Sequence, residues 1–172
     1  MKHLNIAAAM LLCTTPALAQ PADISAKANF IDQQGQSVGT ARLTQTAHGV
    51  LIDLDLKNVP AGPHGFHIHQ SGICDGGVKF ASAGGHFGIS GQEHGYQAGK
   101  GPHAGDLPNL IVPAGGALKI ELFTPGVTLA GGETSLFDAD GSALVIHAKG
   151  DDYKTQPAGD SGDRIACAII QK

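Results

Sequence analysis

Positive charge is scarce in this sequence. Lys and Arg number 11 against 15 Asp and Glu, a net charge of −4, which excludes the basic surface that holds a nucleic-acid backbone. Apolar runs long enough to cross a bilayer are missing too. The one candidate, Ile6 to Cys13, is too short, and no second run follows it. Tryptophan is absent and little of the chain reads as helix, whereas glycine is abundant, with 25 residues. Neither an internal repeat nor a linker divides the chain. What remains is one domain's worth of sequence, long enough for a real core.

The N-terminal stretch MKHLNIAAAMLLCTTPALAQ has the layout of an export leader. Lys2 charges its start, the short apolar run follows, and ALA offers small residues for cleavage after Ala19. The expectation is a leader over residues 1–19 and a mature domain over residues 20–172, periplasmic or otherwise exported and without a membrane segment. Three cysteines then become two, Cys74 and Cys167, in a compartment where disulfides persist. One bridge between them is expected, worth about 4 kcal/mol in the chain-entropy account for a loop of that length.

Short β-rich runs recur: AKANFID, SVGTARLTQT, GVLIDLDLKNV, GFHIH, ALKIELF, SALVIHAKG and RIACAII. In VLIDLDL, Leu51, Asp53 and Asp55 share one face and Ile52, Leu54 and Leu56 the other, the period-two pattern of a half-buried strand. Turn residues in DQQGQ, VPAGPHG, FTPGV and DADGS separate the runs. Strands at this spacing, without helices between them, predict an all-β antiparallel sandwich or barrel. Two stretches break the rhythm: a glycine-rich one from His69 to about Leu110, and a polar one from Lys149 to Asp163. Long irregular loops in a compact domain tend to be functional, and the first of these holds three histidines beyond His69.

In GFHIHQSGIC, strand alternation puts His67 and His69 on one side and Phe66 and Ile68 on the other. Four more histidines stand in SAGGHFG (His86), QEHGYQ (His94), GPHAGDLPN (His103) and LVIHAKGDD (His147). Neutral imidazole suits copper and zinc, and the carboxylate of Asp106 suits zinc better than a redox copper. Any one of these histidines alone reads as structural. Six of them with Asp106 point to a metal centre.

Taken in order, HGFHIH, SAGGHF, HAGDLPN, LVIHAKGDD and GDRIAC resemble the copper/zinc superoxide dismutases. The short step from His69 to Cys74 resembles their exported bacterial branch. The resemblance implies a Greek-key β-sandwich or barrel with two long functional loops, existing as monomer or homodimer. It implies copper held by His67, His69, His86 and His147, and zinc held by His86, His94, His103 and Asp106. His86 would belong to both sets, since an imidazole between two divalent cations can give up its second proton. By the same resemblance Asp151 links the free nitrogens of His67 and His94, and His64 makes structural hydrogen bonds. Arg164 guides the superoxide anion to copper, and a Cys74–Cys167 bridge fixes the loop around it. His48 reads as a surface residue. Lys79 is the expected second steering charge, with Lys149 and Lys154 as competitors.

The implied activity converts superoxide to dioxygen and hydrogen peroxide, with a proton moving on and off His86 as copper changes oxidation state. Two other classes compete. A zinc hydrolase or hydratase also uses H-x-H with a third histidine, but needs neither the second ligand set nor the cysteine pair. A non-catalytic exported copper-binding module explains the histidines but not Arg164.

Overall fold

Strand β3 (Gly49–Leu56) shows how alternation becomes a wall: Ile52, Leu54 and Leu56 are buried, while Asp53 and Asp55 between them face solvent. The computed structural model describes residues 24–172, so the expected leader lies outside the described residues. The other strands are β1 (Ser25–Asp32), β2 (Ser37–Thr46), β4 (Gly62–His69), β5 (Asp106–Val112), β6 (Leu118–Thr124), β7 (Ala143–His147) and β8 (Arg164–Gln171). They form one antiparallel sheet in the order β5-β4-β7-β8-β1-β2-β3-β6, curled so that the two edge strands approach each other. The barrel is nearly closed. The connections from β3 to β4 and from β6 to β7 cross between its halves.

Inward-facing side chains fill the barrel, among them Phe30, Leu43, Ile52, Phe66, Ile68, Leu110, Leu144 and Ile146. Each buried residue of this size contributes roughly 1.5–3 kcal/mol through removal from water. Strands β4 and β7 differ from the rest because both of their faces are covered. From β4, Phe66 and Ile68 enter the core while His67 and His69 point outward and are still fully buried. Outside the wall, Phe80, Ala83, Ala143, Val145 and Cys167 make a second small apolar cluster, with Cys74 packed against it.

One strand is unannounced in the sequence. The irregular stretch expected to run to about Leu110 ends at Gly105, and DLPNLIV forms β5. Pro108 disguises it, since proline removes a ladder donor and reads as a breaker. Here it is tolerated because β5 is an edge strand, and because Pro108 and Asn109 stand where the β4–β5 register shifts opposite Gly65. The polar stretch from Lys149 to Asp163 is strand-free, as expected. No helix among the described residues is long and apolar enough to cross a membrane.

Candidate metal centre

Three strand ends converge on one point outside the barrel wall. His67 and His69 come from β4, His147 closes β7, and Asp106 opens β5 directly opposite His67. His86 arrives from the long loop because the chain folds back along the end of β4. A bridge pairs His69 with His86, and the Phe87 N–H donates to the Ile68 carbonyl at 2.8 Å. His94 and His103 sit on the strand-free segment between His86 and Asp106.

Hydrogen bonds set the tautomer of each ring. A neutral imidazole has one donor and one acceptor nitrogen, so the nitrogen that donates leaves the other as a lone pair. His67 Nε2 lies 2.8 Å from Asp151 Oδ2, His69 Nδ1 lies 2.9 Å from the Gly84 carbonyl, and His147 Nδ1 lies 3.1 Å from the Gly162 carbonyl. The nitrogens left over, His67 Nδ1, His69 Nε2 and His147 Nε2, are buried and have no hydrogen-bond partner, and neither has His86 Nε2. These four residues offer ligand atoms that all lie within 4.8 Å of one another. Each buried, unsatisfied nitrogen costs about 1–3 kcal/mol, a cost that a shared cation removes. Four convergent imidazoles with no carboxylate suit copper.

A second group adjoins the first. Asp106 Oδ1 lies 2.7 Å from His86 Nδ1, 3.1 Å from His94 Nδ1 and 3.6 Å from His103 Nδ1, with His86 and His94 Nδ1 only 3.3 Å apart. Three imidazoles and one carboxylate at this spacing suit a tetrahedral zinc. By proximity alone the fourth member beside His86, His94 and Asp106 is His67, not His103, whose Nδ1 stands 3.6 Å from Asp106. The lone pair of His67 belongs to the first group, because its other nitrogen is committed to Asp151. His86 has one ring nitrogen in each group. The other oxygen of Asp106 accepts the Gly95 N–H at 2.8 Å and the His103 N–H at 3.1 Å, which fixes the carboxylate's rotation.

Asp151 spans both groups. Its Oδ2 takes the proton of His67 Nε2, and its Oδ1 lies 3.0 Å from His94 Nε2. Burial would raise the carboxyl, but the bonds from His67 and His94 outweigh it and hold Asp151 well below the usual carboxylate range. Asp106 is likewise held low by His86, His94 and the Gly95 N–H against the effect of burial. Burial pulls His67 down to about 4 and His147 to about 3, and pushes His69 well below the ordinary value. These rings are neutral, as metal ligands must be. His94 goes the other way: burial opposes its charge, but bonds to Asp106 and Asp151 raise it to about 9.

Arg164 opens β8 opposite His147, and its fork is held by main-chain carbonyls. Nη1 donates to Phe80 O at 2.6 Å and Nη2 to Gly84 O at 2.6 Å, so the guanidinium shares the Gly84 carbonyl with His69. A guanidinium carries five N–H donors, more than these two contacts use. Both carbonyls belong to the loop that the Cys74–Cys167 disulfide ties to β8. Lys79 stands beside Phe80 on the same loop, but its ammonium pairs with Asp163 at 3.2 Å, with both side chains exposed. Lys149 packs near Gly162, and Lys154 is exposed. His64 is buried between the carbonyls of His147 at 2.7 Å and Pro60 at 2.8 Å, while His48 lies at the surface.

Two residues of this site carry no local signal. Asn109 grips the main chain of Asp151, and Gln156 grips that of His94. Asn109 lies inside the motif HAGDLPN but in a segment that does not read as strand. Gln156 stands in a polar loop where nothing distinguishes it from its neighbours.

The family model for copper/zinc superoxide dismutase matches residues 37–170. Superoxide dismutase [Cu-Zn] 2 of Aquifex aeolicus is 43% identical over 174 residues, covering 99% of this chain and 100% of its own. The Caulobacter vibrioides superoxide dismutase [Cu-Zn] is also 43% identical, over 140 residues and 80% of each chain. Among solved structures, a SOD-like protein from Bacillus subtilis superposes with a TM-score of 0.79 at 37% identity, covering 83% of this chain and 96% of that one. With that match over most of its length, the chain belongs to the copper/zinc superoxide dismutase family.

Proposed function

We propose that this protein is a superoxide dismutase, converting two superoxide ions and two protons to dioxygen and hydrogen peroxide. The observation that carries this reading is His86, whose two ring nitrogens point into two different ligand groups. His67, His69, His86 and His147 would hold a copper, which would supply one-electron chemistry, and His86, His94, His103 and Asp106 would hold a zinc, which would supply a Lewis acid only.

The chain's own residues do the rest. His86 holds a proton at Nε2 when that nitrogen is free, and gives it up toward the reduced oxygen species. Arg164 docks the anion beside the first group by charge and by its remaining N–H donors, in a site whose carbonyl contacts already fix its geometry. Asp151 keeps the lone pairs of His67 and His94 aimed at their metals. The disulfide keeps Phe80 and Gly84 under the guanidinium. A non-catalytic copper carrier has no use for an anion-docking arginine so placed. The leader-like N-terminus and the disulfide support export to the periplasm, with residues 1–19 removed.

The test is metal analysis with a superoxide-consumption assay on the purified mature chain. One copper and one zinc per chain with rapid superoxide loss is the expected result; metal bound without activity would leave a copper carrier instead. Substituting His86→Ala should abolish most activity and any spectroscopic coupling between the two metals. Retention of the parent copper spectrum and rate would refute the shared-ligand assignment.

A further inference from the structure

Most residues of the centre are held by strand ladders. His67, His69 and His147 belong to β4 and β7, Asp106 opens β5, and His86 is bridged to His69. His94 is not in any strand, yet its side chain is fully buried. Its main chain is held instead by one side chain from the other long loop. Gln156 Oε1 accepts the His94 N–H at 2.9 Å, and Gln156 Nε2 donates to the His94 carbonyl at 2.9 Å. A carboxamide presents the same donor and acceptor as a peptide unit, so Gln156 replaces the missing ladder partner. Nε2 also donates to the Lys154 carbonyl at 3.1 Å, which ties the amide to its own loop.

The loop that carries Gln156 is itself anchored by a second such clamp. Asn109 on β5 donates to the Asp151 carbonyl at 2.9 Å and accepts the Asp151 N–H at 2.8 Å. Asp151 then reaches His94 Nε2 with its side chain. The chain of contacts runs from β5 through Asn109 and Asp151 to the second loop, and back through Gln156 to His94. Close approach of the two loops is built in. Gly95 has φ +96°, and a Cβ there would collide with the Tyr153 carbonyl.

We propose that Gln156 is a positioning residue for the zinc half of the centre. This rests on the reading of His94 as a zinc ligand. Gln156 touches no reacting atom; it fixes the backbone of His94, so that Nδ1 faces Asp106 and Nε2 faces Asp151 before any metal arrives. Without the clamp the Gly95 N–H still donates to Asp106 and the His94 ring keeps its side-chain contacts, but the His94 N–H and carbonyl lose their partner, and ordering them becomes part of the cost of binding zinc. Copper depends on residues held by strands and is insulated from this cost.

The experiment measures affinity for zinc alone and for copper alone, by chelator competition on the metal-stripped full chain. The denaturation midpoint of the metal-free protein is measured alongside. Gln156→Ala should weaken zinc binding by about tenfold to a hundredfold, the range seen when an outer partner of a metal ligand is lost. Copper affinity should stay within about twofold, because an outer partner that holds a ligand of one metal leaves the other metal's ligands in place. Gln156→Glu keeps the acceptor for the N–H but sets an oxygen against the His94 carbonyl, so it should fail to restore zinc affinity. Parent-like zinc affinity in Gln156→Ala overturns the inference, as does equal loss of both metals in step with the midpoint, which marks a general packing role. A parent chain that takes up no zinc overturns the zinc assignment and the inference with it.

Discussion

His67 and Asp151 meet at 2.8 Å across 84 residues of sequence, and the same carboxylate takes the proton of His94 through its other oxygen. One buried group thus holds the outer nitrogen of a residue in each ligand group. Asparagine has the same shape but only one acceptor. In Asp151→Asn, one imidazole must face an NH₂ group and carry its proton on the nitrogen that points to the metal. Affinity for at least one of the two metals should fall by about tenfold to a hundredfold. Parent affinities for both, measured by chelator competition, would show that something else sets the tautomers.

The Cys74–Cys167 bridge closes a loop of 93 residues and anchors the segment whose carbonyls hold Arg164. Removing it with Cys74→Ala and Cys167→Ala together should lower unfolding free energy by about 4 kcal/mol, read from urea denaturation. Activity should fall further than copper content does, because Arg164 loses its seat while β4 and β7 still hold their histidines. A variant that loses copper and activity in equal measure would argue against this division of labour.

Lys79, the expected second steering charge, pairs with Asp163, which offsets its charge. Exposed pairs of this kind contribute little to stability, but their charges still act on an approaching anion. Asp163→Asn frees Lys79 and removes a negative charge next to Arg164, so the low-salt rate should rise by roughly twofold. Lys79→Gln should slow it by a smaller factor. Both differences should vanish as salt shortens the screening length to a few ångströms. Rates for Asp163→Asn that match the parent at every ionic strength would remove this pair from the approach path.

The metal-free protein should be most stable near pH 6.5, the ordinary value for histidine. Burial holds His67 near 4 and His147 near 3, so between pH 6.5 and 4 the unfolded chain binds more protons and stability falls with falling pH. His94 is raised to about 9, so its contribution is present below pH 6.5 and is lost as pH rises toward 9. Urea midpoints at about pH 5, 6.5 and 9 check this. A midpoint that climbs steadily to pH 9 would mean that His94 is not charged in the metal-free fold.

Much of the fold and the centre was legible along the chain because it depends on local order. Alternation in VLIDLDL marked β3 with its faces assigned correctly, and HIH put His67 and His69 on one side because side chains in a strand repeat every two residues. Residue type marked the donors, and counting cysteines outside the expected leader marked the disulfide. Tertiary structure decided what depends on distant partners. Strand β5 exists because β4 pairs with it, in spite of Pro108. The inward-facing nitrogen of each histidine was decided by acceptors such as Gly84, Gly162 and Asp151, which alternation cannot supply. Lys79, expected as a free charge, pairs with Asp163, 84 residues away. Gln156 became a clamp on His94 only because two loops 62 residues apart close against each other. Period and composition are properties of neighbours in sequence, whereas tautomer, ion pairing and clamping are properties of neighbours in space.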